Sequence, residues 1–214
     1  MKTRVEVWLL MGLCLACTSS RSQSADVAFI TQLKGTAVVG GTGKQRSAVA
    51  LTKLQVGEQV TVSKDSQLRI VYFDGGRQET WNGNAELSIG SAESNKSAGA
   101  EPEVKKISSI LSKQLAMTPT GESTSRVGMV RLRTASEAKV KEVEKNYAEL
   151  RSGAPGDDST PELYLLAALF QLGRYDQIES TLASLKSRQT ESSEVDAIAE
   201  RYAKAIAVAR KATH

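Results

Sequence analysis

The side chains best suited to nucleophilic catalysis or metal binding stand at the two ends of this 214-residue chain. Both cysteines, Cys14 and Cys17, lie near the start, and the one histidine, His214, is the last residue. A thiol nucleophile, a disulfide and a thiolate metal site are therefore not expected elsewhere. A terminal histidine also argues against a Ser-His-Asp triad and a histidine-ligated zinc site. We expect no enzyme, no cofactor and no metal.

Catalysis by carboxylate or lysine side chains is still compatible with this composition, but no spacing of Asp, Glu or Lys indicates a catalytic site. The glycine-rich stretch Val39–Lys44 lacks the Ser or Thr and the four-residue gap of a phosphate-binding loop, and a hairpin loop is the better interpretation. The net charge of +4 comes from interleaved basic and acidic residues, so a nucleic-acid partner is not expected.

Residues 1–24 have the pattern of a signal peptide. Lys2 and Arg4 precede the uncharged apolar run Val7–Ala16, which is too short to span a bilayer comfortably. We therefore expect an exported protein. Cleavage after Ser24 or Ala25 would satisfy the small-residue rule of ordinary signal peptides.

A second cleavage position competes with that one. Leu15-Ala16-Cys17 resembles a bacterial lipobox, in which the cysteine is lipidated and becomes the new N-terminus, although Cys14 stands where an aliphatic residue is usual. The resemblance implies cleavage before Cys17 and a lipid anchor on it. With Thr18 next in the chain, it also implies sorting to the outer membrane, with the protein in the periplasm.

Residues 25–90 show the two-residue alternation of half-buried strands, as in Leu68, Ile70 and Tyr72. Turn residues punctuate these runs at regular intervals, and Asp74-Gly75 between two extended runs is a strong hairpin signal. A small all-β roll or sandwich is the expected domain.

Four segments of this region, in order, are similar to the FecR-type domain of bacterial envelope proteins: Leu33–Val38, Leu54–Val60, Ser66–Gly76 and Gly83–Ile89. The residues that carry the match are Gly35, Gly57, Asp74 and Gly75, and we interpret them as structural turn residues. The resemblance implies a stacked all-β envelope module with a regulatory or protein-binding role and no known catalysis.

The middle of the chain is expected to connect two halves. Ser91–Glu103 has no apolar period and is interpreted as a mobile linker, which would leave the halves separable. From Val104 to Leu115 apolar residues recur at helical spacing, which predicts an amphipathic helix ending by Pro119. Later in this connecting region, which spans residues 104–133, apolar and basic residues alternate over Val127–Arg133, and this pattern predicts one further strand.

Residues 134–214 are expected to be helical. A capping box at Thr134–Glu137 starts the first helix, and Ser159–Glu162 starts the second. Tyr175–Arg188 and Ser193–Lys211 supply two more. The Leu172–Asp176 turn, with Gly173 and Tyr175, resembles one tetratricopeptide-type helical hairpin, and such hairpins usually serve protein interaction.

The sequence thus predicts a β domain plus an α tail, a FecR-like roll or sandwich followed by a short helical bundle. The expected function is that of a non-enzymatic envelope protein, a scaffold or regulatory module that binds another envelope protein of unknown identity through its tail. One alternative is a cell-wall or glycan-binding module that stacks its ligand near Trp81, although a core pair with Tyr72 is the preferred interpretation. The other alternative is an enzyme with two converging carboxylates.

Overall fold

The computed structural model describes residues 25–41, 45–119, 137–189 and 192–212. Within these residues, ten strands are followed by five helices. The strands are β1 (Asp26–Lys34), β2 (Ala37–Gly40), β3 (Arg46–Ser47), β4 (Lys53–Gln55), β5 (Gln59–Val62), β6 (Gln67–Tyr72), β7 (Arg77–Asn82), β8 (Ala85–Ile89), β9 (Ser94–Ala98) and β10 (Glu103–Lys106). The helices are α1 (Ser109–Ala116), α2 (Glu137–Ser152), α3 (Thr160–Gln171), α4 (Tyr175–Arg188) and α5 (Ser193–Ala212).

The strands form two five-stranded sheets, and every pairing between them is antiparallel. The inner sheet has the order β10-β7-β6-β1-β4, and the outer sheet has the order β3-β2-β5-β8-β9. The predicted fold class, a β domain followed by an α tail, is confirmed.

The inner sheet is covered on both faces. Successive residues of a strand point to opposite faces, and in β1 Ala28 and Ile30 join the core between the sheets while Phe29 joins the core under the helices. In β6, Ile70 and Val71 divide in the same way. The sandwich and the helices therefore share the inner sheet as one middle layer.

Direct hydrogen bonds also tie the helices to the sandwich. In α1, Ser112 donates its hydroxyl to the backbone oxygen of Phe73 at 3.1 Å. In α5, a guanidinium nitrogen of Arg201 donates to the backbone oxygen of Leu51 at 2.8 Å. With the shared core, these bonds contradict the expectation that the two halves are separable.

The interpretation of Ser91–Glu103 as a linker is wrong in its central part, because β9 occupies Ser94–Ala98 and pairs with β8. Ser94 is held further by the Tyr72 hydroxyl, 2.8 Å from its Oγ, and by a carboxylate oxygen of Glu79, which accepts from its backbone nitrogen at 3.1 Å. Backbone pairing stabilises this polar segment without an apolar period. Edge strands commonly carry exposed polar residues.

The predicted helix from Val104 starts too early. Val104 lies in β10, an edge strand that pairs with β7, so the β domain extends past residue 90 to Lys106. Helix α1 begins at Ser109, and the Ser108 side chain accepts from the backbone nitrogen of Leu111 at its N-terminus. The predicted strand Val127–Arg133 lies outside the described residues.

Helix α3 is the centre of the helical layer. All residues from Thr160 through Phe170 are buried, which suits a helix that is apolar on nearly every side. It packs against α1, α2 and α4. Gly173 adopts a φ of +69° in the turn to α4, as expected for a residue that ends a helix.

None of the helices that the structure describes combines the length and the apolar character needed to cross a membrane.

Candidate functional site

A cleft of about 450 Å³ opens where the end of β1 meets the helices. Its volume falls in the range typical of ligand sites, roughly 300–1,000 Å³. The polar side chains that line it come from four places, namely β1, the α2–α3 loop, the end of α4 at Gln189 and the start of α5. They include Gln32, Lys34, Asp157, Ser192, Ser193 and Glu194.

Local backbone features place the β1 side of the cleft. The pairing register between β1 and β6 shifts between Ile30 and Gln32, and a bulge of this kind re-aims the side chains that follow it. Gly35 ends the strand at a φ of +85°, and a Cβ there would lie 2.4 Å from the Ser66 hydroxyl oxygen. Glycine is therefore required for the tight turn that closes this edge.

The helical side of the cleft is fixed by the start of α5. Ser192 precedes the helix, and its hydroxyl oxygen accepts from the backbone nitrogen of Val195 at 3.4 Å. Glu194 lies in the first turn of α5, four residues before the buried Ile198. Its carboxylate accepts a hydrogen bond from the hydroxyl of Ser159. Ser159 directly precedes α3, so the two helix starts are joined beside the cleft.

Ion pairs connect the two sides. Lys34 lies 2.8 Å from a carboxylate oxygen of Asp157, and Arg69 lies 2.9 Å from a carboxylate oxygen of Asp158. The Gln32 amide nitrogen donates to the backbone oxygen of Asp157 at 3.3 Å. The cleft is therefore formed by both parts of the fold together.

The two carboxylates that line the cleft differ in their electrostatics. The hydrogen bond and charge of Lys34 lower the pKa of Asp157. Burial raises the pKa of Glu194, and the hydrogen bond from Ser159 and the charge of Arg69 counteract this only in part. Asp157 is thus stabilised as an anion, whereas the charge on Glu194 is poorly compensated.

Most of the residues singled out from the sequence lie away from this cleft. Gly35 lines it. Gly57 lies in the β4–β5 turn at a φ of +87°, and Asp74 and Gly75 lie in the β6–β7 hairpin, with Gly75 at +71°. Cys17 is outside the described residues. The turn residues of the FecR-like pattern do not form a common site.

The residues of the helical hairpin also have structural contacts. Tyr175 packs against Phe170 with ring centroids 5.8 Å apart, and the Arg210 guanidinium lies 5.7 Å from the Tyr175 ring centroid. Because α3 is buried from Thr160 to Phe170, a groove on that helix is closed to a partner.

Sequence reasoning did not identify Gln32, Asp157 or Glu194. Gln32 and Asp157 are 125 positions apart, and no local pattern links residues that meet only when the helices dock on β1. Among the residues that the structure describes, no group of three or more His, Cys, Asp or Glu side chains could hold a metal ion.

No protein family model matches this chain, and no curated protein matches it. A solved structure described as a cell surface anchoring domain is similar over 31% of this chain and 87% of its own length, with 22% identity and a TM-score of 0.29. A likeness with so low a TM-score supports no argument about fold or role. The FecR-type resemblance stays a prediction.

Proposed function

We propose that this chain is an exported, lipid-anchored protein of the bacterial envelope that acts by binding a partner protein, and that the cleft between β1 and the helices is its binding site. The observation that carries the proposal is the joint construction of the cleft. Gln32 and Lys34 come from the sandwich, whereas Asp157 and Glu194 come from the helical layer. A site shared between the two parts is formed only in the complete fold.

This placement differs from the tail-only binding expected from the sequence. The tetratricopeptide-like hairpin has its first helix, α3, buried among α1, α2 and α4. The cleft is open to solvent beside α5, where Ser193 is exposed. A partner therefore has access to polar groups at the junction rather than to the inside of the hairpin.

A glycan-binding role loses its main support. Stacking on a sugar requires an accessible aromatic face. Trp81 is 1% exposed and Tyr72 is fully buried, and both belong to the core between the sheets. Both residues are therefore in the core, as the preferred interpretation expects, but they are not the cross-strand pair it describes, because Trp81 lies opposite Leu68.

A carboxylate-dependent enzyme is the second candidate. Asp157 and Glu194 line one cleft and have pKa values shifted in opposite directions, a pattern that acid–base enzymes use. Binding is the stronger proposal because Lys34 stabilises Asp157 as an anion, and Glu194 accepts a hydrogen bond from the hydroxyl of Ser159.

The anchor is tested with Cys17→Ser. We expect this change to move the protein from the membrane fraction to the soluble periplasm and to remove an acylated N-terminus from the mass spectrum. An unmodified wild-type protein that begins near Ala25 or Asp26 would refute the lipid anchor and leave the binding proposal standing.

The binding site is tested by site-specific photo-crosslinking in native membranes. A photoreactive residue at Ser193, on the rim of the cleft, should capture one defined protein. The control is Ser180, which is also exposed but lies on α4. Capture of the same protein at both positions, or at neither, would contradict the proposed site.

A further inference from the structure

One residue in the lining of the cleft, Gln32, carries a buried hydrogen-bond acceptor that is unsatisfied. Gln32 is 4% exposed and its amide nitrogen is engaged by the backbone oxygen of Asp157. Its side-chain oxygen Oε1 is buried and has no hydrogen-bond partner among the described residues. Buried polar atoms are paired in the great majority of cases, so this acceptor calls for a donor.

The charge of the lining also favours a cation. Lys34 contributes one positive charge, and Asp157 and Glu194 contribute two negative charges when ionised, so the lining carries a net charge of −1. Burial raises the pKa of Glu194, so a cation placed beside its carboxylate would favour the ionised form.

The Lys34–Asp157 ion pair shows how a cation is bound there. The two side chains are 54% and 67% exposed, and exposed pairs of this kind are weak and easily exchanged. A competing cation can therefore take the place of Lys34 on the Asp157 carboxylate at little cost.

We infer that the cleft binds a guanidinium or ammonium side chain presented by the partner protein, an inference that rests on the proposed function. A guanidinium offers five N–H donors and no acceptor, which suits the unpaired Gln32 oxygen and the carboxylates of Asp157 and Glu194. None of the described residues that line the cleft is aromatic, so the recognition is by charge and hydrogen bonds rather than by stacking.

The probe for this site is N-acetyl-arginine methylamide, titrated into the full mature chain in detergent and followed by amide chemical shifts in NMR. We expect saturable shifts at Gly35 and Ser193, which line the cleft. The matched control ligand is the citrulline analogue, which has nearly the same shape but no charge, and it should bind at least tenfold more weakly. Equal binding of the two ligands would overturn the inference.

Two variants on α5 locate the effect. Glu194→Gln should weaken arginine binding by about tenfold, because it replaces a charge-assisted hydrogen bond with a neutral one. Glu200→Gln removes an exposed carboxylate from the same helix and should leave the affinity unchanged. Unchanged affinity in Glu194→Gln would refute the site even if arginine binds elsewhere.

The outcomes separate this inference from the proposed function. Capture of a partner at Ser193 without arginine binding would overturn the cation site alone. Arginine binding at Gly35 and Ser193 without any captured partner would support the cation site and count against the partner protein.

Discussion

Substitution of Gly76 gives the sharpest test of how the β6–β7 hairpin is joined to the segment before α1. Gly76 has a φ of +63°, and its backbone oxygen accepts from the Ile107 backbone nitrogen at 2.8 Å. A Cβ on Gly76 would lie 2.4 Å from the backbone oxygen of Ile107, so Gly76→Ala must push that segment away.

The expected cost has two parts. Left-handed backbone costs a non-glycine residue about 1–2 kcal/mol, and loss of the hydrogen bond to Ile107 adds about 1 kcal/mol. Gly76→Ala should therefore lower the free energy of unfolding by about 2–3 kcal/mol. Gly75→Ala is the matched control, since Gly75 has a φ of +71° but a Cβ there meets nothing within 4 Å, so only the cost of about 1–2 kcal/mol applies.

Urea unfolding is the suitable assay. Trp81 is buried between the sheets and its fluorescence reports on the sandwich, while far-ultraviolet circular dichroism reports on the helices. If Gly76→Ala destabilised the protein no more than Gly75→Ala, the contact with Ile107 would contribute nothing to stability and the reasoning would fail.

Three further predictions concern the shared core and its buried charges. Leu115→Ala in α1 should lower the free energy of unfolding by about 2–5 kcal/mol, because Leu115 is fully buried. The fluorescence of Trp81 and the far-ultraviolet circular dichroism should still change in one common transition. Two separate transitions would show that the halves unfold independently. Arg151→Met removes one partner of the buried Glu162 carboxylate, which lies 3.1 Å from the guanidinium. The free energy of unfolding, measured in urea, should fall by about 1–3 kcal/mol. A change near zero would contradict a stabilising role for this ion pair. Burial raises the pKa of Glu194, so the folded state binds a proton more tightly than the unfolded state, and stability is lost as the pH rises from the ordinary value of 4.5 through the raised pKa. Glu194→Gln should therefore be more stable than the wild type at pH 8, with the difference shrinking towards pH 4, and an equal difference at both pH values would contradict the shift.

Elements with a clear local signal could be predicted from the sequence. The Asp74-Gly75 turn joins β6 and β7, and α4 spans Tyr175–Arg188 as its apolar spacing indicates. Helix α3 starts at Thr160 with proline in its first turn. In each case the residues that determine the structure are neighbours in the chain.

The strands β9 and β10 lacked such a signal. Both lie at sheet edges and expose nearly all their side chains, so their stability comes from backbone pairing with β8 and β7, which composition does not reveal. Ser94 illustrates the point, because its anchors, Tyr72 and Glu79, belong to other strands.

The sequence contains a weak indication that the inner sheet is buried on both faces. Ala28, Phe29 and Ile30 form a continuous apolar run, which is typical of a strand covered on both faces. The nearly uniform apolar character of α3 is likewise typical of a helix surrounded by other elements. No local pattern in the sequence predicts the cleft, because the residues on its two sides are more than 120 positions apart.

The shared middle layer also sets an order of assembly during synthesis. All the strands that the structure describes precede residue 107, whereas α2 to α5 follow residue 136, so the nascent chain can complete these strands before these helices exist. At that stage α1 is the one described helix available to cover the sheet face that carries Phe29 and Val71, so part of this apolar face stays exposed, and chaperones act and aggregates begin on such surfaces. Shortened chains that end before Glu137 lack α2 to α5 and so leave part of this face uncovered, and we expect them to be poorly soluble.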